Sequence, residues 1–166
     1  MNNKSGRILK FSAYILLCGV VGFFGGSYAG KLAPKVEDFS VILLIISCVI
    51  GVVIQIIVHE AGHLVFGLLT GYKFVSFRVF DFKLEKDSNN KFKLRLQHMR
   101  GTLGQCLMKP PKYVEGKFKY KLYLLGGVIF NIVFSIVSWL TLPSYYTLLF
   151  ALIGFALAFL NLIPMG

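Results

Sequence analysis

The stretch that decides the fold is FSVILLIISCVIGVVIQIIVHEAGHLVFGLL, residues 39–69. Ahead of the ionisable pair His59 and Glu60 its only strongly polar side chain is Gln55, and the apolar pattern resumes after the pair. About 30 Å of hydrocarbon is crossed by roughly 20 helical residues, and this stretch is longer. The sequence therefore predicts a membrane-spanning helix with ionisable groups at membrane depth, where such residues are functional candidates.

The composition of the whole chain agrees with a membrane protein. Of 166 residues, 56% are hydrophobic and 15% are charged, and the mean hydropathy is +0.71. These values exclude a disordered chain and an ordinary cytosolic enzyme. Three further stretches, at residues 11–30, 122–142 and 145–164, are also long enough to span a bilayer. The predicted fold class is an all-α membrane protein with about four transmembrane helices.

The first of these stretches, residues 11–30, has two interpretations. Gly22, Gly26 and Gly30 form a small-residue stripe typical of a helix that packs closely against another. The alternative is a cleaved signal peptide, since basic residues precede its apolar core. We expect residues 1–38 to form an N-terminal transmembrane anchor and loop, ahead of a core at 39–166.

The hydrophilic region, residues 70–121, separates the second span from the last two. Polar and apolar side chains alternate through residues 91–98, and an aromatic and β-branched run lies at 74–84. The intervening Asp-Ser-Asn-Asn at 87–90 is turn chemistry. We predict a small cytoplasmic β-hairpin inserted between the second and third helices, and the remaining residues 122–164 form two helices.

Basic residues set the expected topology. Of the 18 Lys and Arg, three precede the first span, two follow it, 13 lie between the second and third spans, and none joins the last two. The positive-inside rule places the N-terminus, the insertion and the C-terminus in the cytoplasm. The net charge of +11 flanks apolar runs, which favours the lipid bilayer rather than nucleic acid as partner. We expect a multi-pass protein of a bacterial cell membrane.

The chemistry is carried by His59-Glu60-Ala61-Gly62-His63. Helical residues four apart lie 40° past a full turn, so both imidazoles project from one face, about 6 Å apart, and suit a Zn²⁺ ion. Glu60 can then act as the general base, and Gly62 leaves room beside the metal. Given the His and Glu content of the chain, roughly 0.001 accidental occurrences of this pattern are expected. Buried polar packing is the alternative to metal binding.

No third ligand is evident after the motif. Phe66 and Leu69 stand where the extended motif of the metzincin proteases requires Gly and His, which excludes that class. The later acids and the last histidine lie among basic residues, and we expect them to be surface groups: Asp81, Glu85, Asp87, Glu115 and His98.

Two asparagines lie within the last two apolar stretches, Asn131 after Gly126-Gly127 and Asn161 in Asn-Leu-Ile-Pro. Each would lose hydrogen bonds in lipid. They either bond between helices or hold the substrate backbone and a developing oxyanion.

Together these motifs resemble the site-2 protease family of intramembrane zinc metalloproteases. The resemblance covers residues 41–164 in three motifs: His-Glu-x-x-His, Gly-Gly-x-x-x-Asn and Asn-x-x-Pro. It implies that His59 and His63 are zinc ligands, that Glu60 is catalytic, and that Asn131 and Asn161 lie near the substrate. It also implies extended segments that hold an unwound substrate strand, a role that suits the 70–121 insertion through strand addition.

The sequence departs from the family pattern at two places. Val128 stands where the family commonly has Pro, which affects a detail of backbone geometry. In the family an Asp shortly after Asn-x-x-Pro is the third zinc ligand, whereas this sequence stops at Gly166 without one. We expect that the chain is truncated before that Asp. A noncatalytic homologue, or a ligand from elsewhere, is the alternative.

The expected function is therefore an intramembrane zinc metalloendopeptidase that hydrolyses a peptide bond of a membrane-spanning or membrane-anchored substrate near the cytoplasmic face. The alternative is a noncatalytic membrane protein that acts as a binding or immunity partner. A small transporter using His59 and Glu60 as a proton relay is a third possibility.

Overall fold

A computed structural model of the chain describes residues 41–87, 89–112, 120–142 and 144–163, together with Leu16, Ser27 and Lys31. Three helices and four strands make up the continuous described segments. In chain order they are α1 (Val41–Leu69), β1 (Lys73–Val79), β2 (Phe82–Lys86), β3 (Phe92–Leu96), β4 (Gly104–Lys109), α2 (Tyr120–Thr141) and α3 (Tyr145–Leu162).

The three helices are each long and apolar enough to cross a membrane. No more than 28% of the most apolar window of any of them is buried, so most of their apolar surface faces outward. They agree with three of the four predicted spans. The other predicted span, residues 11–30, and the N-terminal unit 1–38 to which it belongs lie outside the described residues, apart from three isolated positions.

The prediction of an all-α fold with one β-hairpin is wrong, because the insertion between α1 and α2 is a four-stranded antiparallel sheet. Its strand order is β3-β2-β1-β4. The run at 74–84 that suggested one strand contains a tight turn at Phe80 and Asp81, which divides it into β1 and β2. The sequence Gln-Cys-Leu-Met of β4 carries no β-branched residue, so propensity alone did not indicate a strand.

The turn between β1 and β2 is stabilised by hydrogen bonds to residues outside the turn, rather than by a typical turn residue. Phe80 has a φ of 51°, an unusual conformation for a bulky side chain. Its N–H donates to the Leu103 carbonyl at 2.7 Å, and its own carbonyl accepts from Arg78 Nη1 at 2.6 Å. The turn therefore depends on the segment that leads into β4.

Helices α1 and α2 approach each other at glycines. A Cβ added at Gly62 would lie 2.2 Å from the carbonyl oxygen of Gly126, and one at Gly126 would lie 2.5 Å from the carbonyl oxygen of Gly62. The room at Gly62 is therefore occupied by the α2 backbone, rather than lying beside a metal as expected. Close backbone approach through small residues is the usual way that apolar helices pack in a membrane.

A polar contact joins helix α3 to α1 and α2, and the N-terminus of α3 is capped. The Nε2 atom of Gln55 donates to the Ser135 hydroxyl and to the Phe150 carbonyl, both at 3.2 Å, and so links all three helices. Ser144 caps α3 by accepting from the N–H of Thr147, whose side chain in turn bonds the Ser144 N–H.

The sheet is seated on α1 and α2 through the inward side chains of β4. Met108 contacts Gly67, where a Cβ would lie 2.2 Å from the sulfur. Tyr72 stacks on Tyr123 with ring centroids 4.7 Å apart, and the Tyr123 hydroxyl donates to the Cys106 carbonyl at 2.8 Å. These contacts hold β4 against α1 and α2.

Candidate metal centre

The two motif histidines converge on one point. The Nε2 atoms of His59 and His63 lie 3.1 Å apart, and the rings are nearly perpendicular, at 80°. Two nitrogens bound tetrahedrally to one zinc ion at about 2.05 Å would lie about 3.3 Å apart. The observed separation therefore fits a shared metal. It also fits a hydrogen bond between the rings, the buried-packing alternative.

The tautomer of His63 is set by the backbone of α2. Its Nδ1 lies 2.7 Å from the carbonyl oxygen of Tyr123, which can only accept, so Nδ1 carries the hydrogen. Neutral His63 then turns the lone pair of Nε2 toward His59. A metal-ligating histidine typically donates its other ring N–H to such a group, and this arrangement favours the metal interpretation.

The position of His59 depends on Gly127. A Cβ at Gly127 would lie 2.5 Å from both Cε1 and Nε2 of His59, so any larger residue would displace the ring. The second predicted motif, Gly-Gly-x-x-x-Asn, therefore has two distinct roles. Gly126 admits the backbone of α1, and Gly127 admits the imidazole.

Glu60 is 8% exposed and lies against the start of β4. A Cβ at Gly104 would lie 2.5 Å from Glu60 Oε1, so the carboxylate contacts strand backbone directly. Both His59 and Glu60 line a cavity of about 210 Å³ between the helices and this strand. Glu60, which the sequence predicts to be catalytic, therefore borders this cavity.

Asn131 and Asn161 line the same cavity. Asn131 is fully buried, and neither its Oδ1 nor its Nδ2 has a hydrogen-bond partner among the described residues. Asn161 is exposed, and its Nδ2 donates to the Leu157 carbonyl of its own helix at 2.8 Å. Leaving a buried amide unpaired costs about 1–3 kcal/mol per group, so Asn131 is the residue whose amide most needs a ligand.

The loop before β4 is a part of the site that the sequence did not indicate. Thr102, Leu103 and Gly104 form one wall of the cavity. Arg78, only 1% exposed, donates from Nη2 to the Thr102 carbonyl at 3.3 Å and from Nη1 to Phe80. A buried arginine in a strand thus holds the wall in place. The alternation of β1 places Arg78 with Ser76 on the polar side of the strand, so the sequence did not indicate that it is buried.

Strand β4 is an edge of the sheet and the strand nearest to the cavity. Its Gly104 carbonyl accepts from the Thr102 hydroxyl, and its Cys106 carbonyl accepts from Tyr123. Two backbone acceptors beside the site are therefore already engaged. Burial, together with the nearby Glu60 carboxylate, raises the pKa of the Cys106 thiol to about 12.

The residues predicted to be surface groups lie away from the histidine pair where the structure describes them. Asp81 pairs with His98 at 2.9 Å, Glu85 pairs with Lys83 and Arg95, and Asp87 pairs with Lys93. Glu115 lies outside the described residues. Within the described ranges no cluster of three or more His, Cys, Asp or Glu side chains is suited to hold a metal ion. Among these residues the histidine pair therefore has no third side chain of this kind beside it.

Comparisons with known proteins add no assignment: no family model matches the chain, and no curated protein or solved structure matches it.

Proposed function

We propose that the protein is an intramembrane zinc metalloendopeptidase that cleaves a membrane-spanning or membrane-anchored substrate near the cytoplasmic face. The observation that carries the proposal is the 3.1 Å separation of the His59 and His63 Nε2 atoms beside Glu60, in a helix apolar enough to cross a membrane. The concentration of basic residues in the insertion after α1 supports a cytoplasmic location for this end of the helix.

In the proposed site His59 and His63 hold the zinc ion through Nε2. A bound zinc ion supplies Lewis acidity that polarises the scissile carbonyl and makes a water more acidic. The Glu60 carboxylate takes a proton from the attacking water and passes it to the leaving amine nitrogen. The close contact with Gly104 restricts where the carboxylate can point, so the proton acceptor is held toward the cavity.

Asn131 binds the substrate backbone in this proposal. Its unpartnered amide offers one acceptor and two donors, which complement the N–H and C=O of a peptide group. Because the β4 carbonyls of Gly104 and Cys106 already accept hydrogen bonds, we place the substrate against Asn131 rather than along the edge of β4. Asn161 of α3 lines the same cavity. It can bind the substrate backbone once its hydrogen bond to the Leu157 carbonyl is given up.

The substrate must be unwound before it can react. Every peptide group of a transmembrane helix is already hydrogen-bonded within the helix, and freeing one in lipid costs several kcal/mol. Glycine, proline or asparagine near the scissile bond lowers that cost. We therefore expect faster cleavage of single-span substrates with such residues near the cytoplasmic end of the span.

Zinc content tests the ligand assignment independently of activity. Purified full-length protein in detergent should contain about one zinc per chain by elemental analysis, and His59→Ala and His63→Ala should each remove most of it. His98→Ala is the matched control because His98 lies in the loop after β3, paired with Asp81. Zinc retained in both motif variants would overturn the assignment and favour buried packing of the two rings.

Cleavage tests the role of Glu60. Proteoliposomes with a fluorescently labelled single-span peptide should lose turnover by at least about a hundredfold in Glu60→Gln, since general-base contributions are about 10²–10⁴-fold, while zinc remains. Glu85→Gln, a carboxylate paired on the sheet, is the control and should retain turnover. Equal cleavage by Glu60→Gln and the parent would remove Glu60 from the mechanism. Zinc binding without cleavage of any peptide would favour the noncatalytic binding role.

A further inference from the structure

The sheet has one apolar face that lies toward α1 and is only partly covered. Across β2 and β3, Phe82 is opposite Leu96 and Leu84 is opposite Leu94, while the residues between them are charged. Leu94 and Leu96 are 69% and 76% exposed. An apolar face of this kind on a sheet attached to membrane helices is suited to contact with lipid.

Between this face and α1 runs an apolar groove. Its main part is a cavity of about 540 Å³ that is lined on the helix side by Ala61, Leu64 and Leu68. A smaller cavity of about 260 Å³ continues it along α1 to Ile57, and the two share Phe77 of β1. From Ile57 to Leu68 the helix rises about 16 Å, so the groove is long and narrow.

The groove opens into a cationic mouth. A neighbouring cavity of about 540 Å³ shares Leu68, Phe74 and Lys86 with the apolar part, and it is also lined by Lys73 and Lys109. Lys73 follows the last residue of α1 by four positions, which places this mouth where the helix leaves the hydrocarbon. One continuous groove thus has an apolar end and a positively charged end.

The lysines at the mouth repel one another, so a bound anion would stabilise them. Lys73 and Lys109 are direct cross-strand partners of β1 and β4, and like charges in that position destabilise a sheet. Among the described residues, the ion pairs of the sheet engage Lys83, Lys93 and Arg95, and none engages the three lysines of the mouth. A bound anion would offset the repulsion.

The apolar part of the groove identifies the rest of the ligand. Apart from Lys86 its lining side chains are hydrocarbon or aromatic. An extended peptide would leave backbone N–H and C=O groups unpaired there, whereas an acyl chain has no such groups. We propose that an anionic phospholipid binds in this groove, with an acyl chain along α1 and its phosphate between Lys73, Lys86 and Lys109. The inference goes beyond the proposed proteolysis and rests only on placement of the chain in a membrane.

Lipid titration of the full-length protein tests the proposal. In native mass spectrometry from detergent, phosphatidylglycerol should bind more tightly than phosphatidylcholine with the same acyl chains. The double variant Lys73→Gln/Lys109→Gln should weaken phosphatidylglycerol binding about thirtyfold, as loss of two lysine–anion contacts at a membrane surface predicts. Lys91→Gln/Arg100→Gln, with the same change in net charge outside the groove, should leave the affinity unchanged. Equal losses in the two double variants, or equal affinities of the two lipids, would overturn the phosphate site.

A second variant tests the acyl chain separately. Leu68 lines both the apolar part of the groove and its cationic mouth. Leu68→Trp places a bulky ring between them and should weaken the binding of both lipids by similar factors. A photo-crosslinking residue in place of Leu84, on the sheet side of the groove, should label phospholipid in native membranes. Crosslinks to residues 11–30 of the same chain instead would mean that a protein segment fills the groove, and would overturn the proposal.

Discussion

The unpaired amide of Asn131 leads to an unusual prediction, that its removal stabilises the protein. Asn131→Leu replaces a fully buried side chain, whose two polar atoms have no partner in the described structure, with a hydrocarbon of similar shape. Each unpaired buried group costs about 1–3 kcal/mol, which gives about 2–6 kcal/mol as an upper bound. Because the adjoining cavity of about 210 Å³ is large enough for water, we expect a gain of about 1–3 kcal/mol.

The matched control is Gln55→Leu. Gln55 is equally buried, but its Nε2 donates to Ser135 and to Phe150 at 3.2 Å. Loss of these two bonds should destabilise the helix bundle by about 1 kcal/mol, since its Oε1 is itself without a partner among the described residues. The two substitutions are chemically alike and should change stability in opposite directions.

Both changes can be measured by reversible unfolding in mixed micelles, followed by fluorescence of the single tryptophan, Trp139. Asn131→Leu should raise the free energy of unfolding and, if the amide binds substrate, lower peptide cleavage. A loss of stability in Asn131→Leu comparable to that in Gln55→Leu would refute the reasoning, because it would mean that the Asn131 amide is already paired.

Three further predictions concern the surroundings of the site. Gly127→Ala should lower zinc affinity about 10–100-fold, because its Cβ would meet the His59 ring at 2.5 Å; unchanged zinc binding would contradict that contact. Arg78→Met removes the bond to the Thr102 carbonyl and should speed amide exchange in residues 102–104 without loss of zinc, whereas unchanged protection would exclude a supporting role. Burial raises the pKa of the Cys106 thiol to about 12, so at pH 8 its thiolate fraction is about 10⁻⁴ and iodoacetamide should not modify it in the folded protein; labelling as fast as in the unfolded chain would contradict its burial.

The helices and the histidine pair could be predicted from the sequence because both depend on local periodicity. A long apolar run must form a helix in lipid to satisfy its own backbone, and residues four apart on a helix share one face. The spacing of His59 and His63 therefore placed both rings on one face of the helix before any partner element was known. Asn131 and Asn161 were placed near the pair only through a family resemblance, and their spacing alone did not require it.

Only the tertiary structure decided how the site is enclosed. Tyr123 orients His63 from 60 positions away, Gly127 makes room for His59, and Gly104 brings a strand against Glu60. Each of these contacts depends on the register of helix packing or on the seating of the sheet, which local sequence does not encode. The four-stranded sheet was missed for the same reason, because its first turn and its last strand are held by Arg78 and by the helices beneath β4, rather than by turn residues or strand propensity.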